Sequence, residues 1–139
     1  MKALSLLQPW ASLVVTGSKK IETRSWNTSY RGELLIHASS GKAGALLALE
    51  PPFSKYIADF KRLPFGAIIG KVTLVNTVRV EQLSLSDEVI NRLSLEERAF
   101  GDYAGGRYAW LLEDAIELSK PVFIRGTLGL WEYSGDLEV

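Results

Sequence analysis

AIIGKVTLVNTVRV, residues 67–80, is the stretch on which the fold turns. Ile, Val and Thr crowd it, their branched side chains suit a pleated surface, and no proline interrupts the run, so it reads as one long strand. A strand of that length must bend to stay within a small domain, and Gly70 is the expected bulge or corner. A long bent strand suits a barrel. Working outward, GELLIHA (residues 32–38), RYAWLL (107–112), PVFIR (121–125) and a short run from Ala3 to Leu6 read as further strands. Pro9 suits a first helical turn, Trp10, Leu13 and Val14 share one helical face, and Gly17 supplies the stop. Residues 42–49 and 53–61 read as short helices closed by the turn Leu63-Pro64-Phe65-Gly66, and residues 84–98 are polar and acidic with helical spacing. The expected class is α+β, a mixed β-barrel of five or six strands with short helices packed around it.

At 139 residues, 47% hydrophobic and 23% charged, the chain reads as one globular domain over residues 1–139 that buries its own core. It has no cysteine and one histidine, which excludes a disulfide framework, a thiolate nucleophile and a thiolate zinc site. No metal and no cofactor is expected. Sixteen basic and sixteen acidic residues cancel, against coating nucleic acid or membrane by bulk charge. Their distribution is uneven: residues 1–44 hold six basic and two acidic side chains, residues 81–102 six acidic and two basic, which allows a local basic patch. The opening MKALSLLQPWASLVVTGS is interrupted at Gln8-Pro9 and has no small-x-small cleavage site before Lys19-Lys20, so it is not read as a signal peptide. A cytoplasmic location without a membrane span is expected.

Residues 17–26, GSKKIETRSW, form the densest cluster of glycine, opposite charges and an aromatic ring. In an extended segment Lys20, Glu22 and Arg24 share one face and Ile21 and Thr23 the other. Glu22 and Arg24 can simply pair across an exposed strand face, an arrangement that contributes little. The segment SLLQPWASLVVTGSKKIETRSW followed by YRGELLIHAS closely resembles the opening of ASCH domains, whose signature G-x-K-x-x-E-x-R is met at Gly17, Lys19, Glu22 and Arg24. Pro64-x-Gly66, GRYAWLLED, Pro121-Val122 and Gly129-Leu130-Trp131 extend the resemblance over most of the chain. It looks closest to the larger members that carry QPWASL and ExRSW, a type also found at the end of a eukaryotic transcription coactivator.

The resemblance implies a PUA-like barrel with a cleft beside the first helix, in a superfamily associated with binding RNA or modified bases. On that reading Lys19, Glu22 and Arg24 line the cleft and its partner is RNA or another single-stranded nucleic acid, or a modified nucleoside. Lys19 offers a compact charge for phosphate, Arg24 a planar fork for phosphate or a base edge, and Glu22 an acceptor for a base amino group. Trp10, Trp26 and Tyr30 are candidate stacking surfaces. Trp10 lies on the apolar face of its helix, which favours packing, so Trp26 is the stronger candidate. Lys20, Arg31, His37 and Arg107 complete the candidate binding set, with Arg107 and Tyr108 in a glycine-rich loop able to close over the cleft. The signature favours Lys19 for the cleft and simple alternation favours Lys20.

Two other functions use the same residues or none of them. Some compact relatives are amidohydrolases on acylated cytidine, with a lysine and a threonine in this signature; Lys19 matches the lysine, but Glu22 stands where the threonine is required. A hydrolase or ribonuclease here would use Glu22 as general base and Lys19 as the charge on the oxyanion. The third option is a protein interaction module within a larger complex. His37, on a strand buried on both faces, reads more readily as a hydrogen-bonded structural residue. Glu96, Glu97 and Asp102 read as a solvated acidic face rather than a cation site.

Overall fold

The computed structural model describes residues 1–85 and 93–139. The α+β expectation holds: six strands form one curled, mixed sheet, with short helices set around it. The strands are β1 (Lys2–Leu6), β2 (Ile21–Arg24), β3 (Gly32–Ala38), β4 (Ala67–Arg79), β5 (Tyr108–Phe123) and β6 (Leu130–Glu132). Their order is β2-β5-β4-β3-β1-β6; β1 and β3 run parallel and every other neighbouring pair is antiparallel. Among the described residues the α-helices are α1 (Trp10–Val15), α2 (Phe53–Tyr56) and α3 (Leu95–Phe100).

β4 is the long bent strand that the sequence announces, and its bend is built from pairing faults. Its register with β3 shifts opposite Ile36 and His37, and its register with β5 shifts at three places. At one of them a single residue of β4, Val72, faces both Asp114 and Ala115, and Asp114 takes a left-handed φ of 54° there. The extra residue there lies on β5; such a bulge bends the strand that carries it and adds local twist that the paired β4 shares. Gly70 sits at the next shift, where α1 crosses β4. A side chain there would collide with Val15 and with the Ile116 carbonyl. The curl wraps one core around α1, with Leu4, Leu6, Val14, Leu34, Ile36, Ile69, Trp110 and Leu112 all buried in it. Fully burying a side chain of this size stabilises the fold by about 1.5–3 kcal/mol.

Gln8 explains why α1 starts where it does. Its side-chain oxygen accepts from the Ser12 N–H at 3.0 Å, satisfying a first-turn donor, and its amide donates to the Pro64 carbonyl at 2.8 Å. Gly17 closes the helix at φ +81°, and the Lys19 N–H returns to the Leu13 carbonyl at 2.9 Å.

Some expectations on element bounds are corrected. RYAWLL from Tyr108 on and PVFIR up to Phe123 are the two ends of the single strand β5, continuous because β4 pairs with it from Ala67 opposite Phe123 to Arg79 opposite Tyr108. The intervening EDAIELSK is mostly exposed, so its polar composition hides a strand. Residues 42–49 form turns ending in a 3-10 segment at Leu47–Leu49, and residues 53–61 hold α2 and the start of a second 3-10 turn, Phe60–Arg62. Of the helical stretch expected over residues 84–98, the part at 86–92 lies outside the described residues; α3 accounts for its end. Among the described residues, no helix is long and apolar enough to cross a membrane.

Candidate nucleotide-recognition cleft

β2 and β1 are not neighbours in the sheet, yet the curl brings them together: Arg24 Nη2 on β2 donates to the Ser5 carbonyl on β1 at 3.0 Å. This bond crosses the open seam of the half-barrel. Above it lies a cleft of about 510 Å³. Glu22, Thr23 and Arg24 of β2 line it, together with Ser5, Leu6, Leu7 and Trp10 from β1 and the start of α1, Phe100 to Asp102 after α3, and Arg107. Trp10 is anchored by its indole N–H, which donates to the Phe100 carbonyl at 2.8 Å, and by edge-on contact with Phe53. Arg107 is fixed by Nη2 on the Thr23 carbonyl and Nε on the Asp102 carbonyl, both at 3.1 Å.

Glu22 connects the cleft to a buried charge cluster. Its Oε2 lies 3.2 Å from Arg24 Nε, an ion-pair contact whose angle leaves Nε without a hydrogen bond, and its Oε1 lies 3.6 Å from Lys19 Nζ. Lys19 is the surprise. Its side chain is fully buried; Nζ donates to the Ile21 carbonyl and stands 4.0 Å from Oε2 of Glu97. Glu97 in turn accepts from the Lys20 N–H at 2.7 Å through Oε1, while Oε2 has no hydrogen-bond partner among the described residues. Burial pushes the Glu97 carboxyl above its ordinary range, and the Lys19 charge and the backbone N–H groups of Lys20 and Ile21 only partly oppose it.

The structure therefore brings Glu22, Arg24, Trp10 and Arg107 to the cleft and redistributes the other candidates. Lys19 stands behind the wall, because the turn after Gly17 directs it inward to two carboxylates; its side chain is buried and does not line the cleft. Lys20 is exposed and lines a different hollow, beside Glu113 and Asp114. Trp26 and Trp10 exchange the expected roles: Trp26 packs edge-on against buried Trp110, with ring centroids 4.9 Å apart, and is absent from the cleft. Tyr30 donates to the Glu33 carbonyl, and Arg31 is held by the Thr28 and Tyr30 carbonyls and by Thr77; both lie away from the cleft. His37 is buried, hydrogen bonded to Ser5 Oγ and the Ile124 carbonyl, and lines a hollow next to the cleft.

Glu97 is also a correction, since it is 4% exposed rather than solvated. Two signals point to it. Leu93, Glu97 and Phe100 recur at helical spacing, which sets Glu97 on an apolar face, and Ser94 with Glu97 has the capping-box spacing. The Ser94 hydroxyl does accept from the Glu97 N–H at 3.0 Å, but the carboxylate turns to Lys20 instead of back to Ser94.

The family model described as ASCH domain matches residues 4–122. Activating signal cointegrator 1 of Homo sapiens is 35% identical to this chain over 85 residues, and the Mus musculus protein of that name is 59% identical over 85 residues. Each match covers 57% of this chain but 15% of the relative, so the chain spans a small part of the curated relatives it matches. The crystal structure of ASCH from Zymomonas mobilis superposes with a TM-score of 0.50 at 20% identity, covering 87% of this chain and 71% of that one. A mutant form of the same protein gives 0.51 at 21% identity, covering 87% and 72%. At that identity the likeness concerns the fold.

Proposed function

Because the chain belongs to the ASCH domain family, we propose that it is a binding domain that recognises a nucleotide of single-stranded RNA, ordinary or base-modified, in the cleft at the seam between β1 and β2. The observation that carries this reading is the composition of the walls: two arginines held by backbone carbonyls, the carboxylates of Glu22 and Asp102 and a tryptophan surround one concave volume. Among the described residues Nη1 of each guanidinium has no protein partner, so each keeps a donor for a base edge or phosphate. Glu22 supplies an acceptor for an exocyclic amino group, and Trp10 a ring for an unstacked base. All four are positioned by contacts already made in the free protein, which lowers the ordering cost of binding.

The test is an amide NMR titration with a short single-stranded RNA, with Arg24→Ala beside the native chain. Shifts gathered at Glu22 to Arg24, Trp10 and Arg107 are expected, and a loss of affinity of about 1–3 kcal/mol in the variant. Unmoved amides at these positions, or equal affinity in both proteins, would sink the reading. A second reading, association with a larger protein assembly, is favoured by a separate apolar hollow of about 550 Å³ where Leu46 and Leu49 are 80% and 72% exposed.

A further inference from the structure

A second hollow of about 300 Å³ adjoins the cleft, and the two share Ser5, Ser39 and Leu128 in their walls. Ser5 is held from three sides. Its carbonyl accepts from Arg24 Nη2 at 3.0 Å, and its hydroxyl lies 3.2 Å from Trp131 Nε1 and 3.0 Å from His37 Nδ1. The Ile124 carbonyl, 2.7 Å from His37 Nε2, can only accept, so Nε2 donates to it. Trp131 can only donate, so the Ser5 oxygen accepts from the indole, and a further hydrogen bond joins the hydroxyl to Nδ1. Ser5 is thus a fixed partition between two volumes, not a mobile side chain.

Two further side chains have no role within the fold. Leu128 is 99% exposed while lining both hollows, so its apolar surface gains nothing from folding. Arg125 is exposed on the wall of the second hollow and, among the described residues, makes no hydrogen bond or ion pair. An apolar wedge between two hollows, with a free guanidinium beside the second, fits two consecutive bases parted by a side chain and a phosphate near the second. We infer that the second hollow is a subsite for the adjacent nucleotide, so that the unit recognised is a dinucleotide step of single-stranded RNA, with Leu128 between the bases and Arg125 on the phosphate side. This rests on the nucleotide reading of the first cleft.

The experiment measures the affinity of the full chain for a ribonucleoside and for the corresponding dinucleoside monophosphate, by calorimetry and by amide shifts. The dinucleoside monophosphate is expected to bind at least tenfold more tightly, to move the amides of Ser40 and Gly126 that the ribonucleoside leaves still, and to lose that advantage in Arg125→Ala and in Leu128→Ala. Both substitutions remove exposed side chains, so folding is not at stake. A ribonucleoside that shifts Trp10 and Arg24 while the dinucleotide binds no more tightly overturns the subsite and leaves the first cleft as proposed. An advantage that persists in both variants overturns the roles of Arg125 and Leu128. Binding of neither ligand overturns the subsite and the nucleotide reading together.

Discussion

Lys19 and Glu97 show how one position of a charge motif can be buried in a charge cluster while the next, Glu22, three positions later, lines a cleft. A buried lysine between two carboxylates is a costly object, and removing one partner leaves a charge uncompensated. Glu97 has a direct consequence for stability. Its carboxyl is held above its ordinary range by burial, so the folded state keeps a proton that the unfolded chain has already released. The folded state then binds more protons than the unfolded one, and stability falls as pH rises from the ordinary glutamate value through the raised one. Glu97→Gln, which stays neutral, lacks that loss. Urea unfolding of both proteins at pH 4 and pH 7 should show the variant gaining on the native chain as pH rises; a constant gap, or one moving in favour of the native chain, removes burial as the dominant influence. The signature exposed which residues are special, but not which side of the wall each occupies. The reason is that the buried cluster around Lys19 is completed by Glu97, which is remote in sequence, whereas Glu22 and Arg24 are oriented by strand alternation within β2.

β4 was readable because its signal is local: branched apolar residues, no proline, one glycine at the bend. β5 was not, because its middle is solvated and only pairing with β4 keeps it extended. The helices came out shorter than their apolar spacing suggested, since two of the stretches close in single 3-10 turns, Leu47–Leu49 and Phe60–Arg62, rather than running on as α-helix. Gly70 joins the two levels of description. It was expected as a bend and proves also to be the point where α1 lies on β4, with Val15 and the Ile116 carbonyl occupying the space of a side chain. Gly70→Ala must push α1 outward or distort the bulge. Overpacking of this kind costs about 1–3 kcal/mol. A lower urea midpoint at unchanged m-value is expected, and an unchanged midpoint would mean that α1 is free to shift at no cost. Because Trp10, which lines the cleft, is the first residue of α1, the same variant should also weaken the RNA binding proposed for that cleft.

The curled sheet explains how a chain with balanced charges can still present the polar cleft proposed as its binding site. Its edge strand β2 curls round to β1, one strand in from the other edge, without pairing with it, and the gap is bridged by Arg24 on Ser5 rather than by a ladder of backbone bonds. The polar groups of that seam face a cleft instead of a neighbouring strand. Charge there is local and nearly cancelled, because Glu22 and Asp102 stand in the same walls as Arg24 and Arg107. Sixteen basic and sixteen acidic residues overall leave no broad field to gather phosphates along a strand. Counterion release scales with the number of phosphates neutralised, at about −0.7 per phosphate for single strands. With only the arginines of the cleft and its neighbouring hollow to meet phosphate, the plot of log affinity against log salt should have a slope of about −1 to −2 for RNA of any length beyond the recognised step. A slope beyond about −4 would require a basic surface along the backbone. In that case the seam would be one contact among many, and recognition would have to be sought on the surface formed by residues 1–44, where the basic residues are in excess.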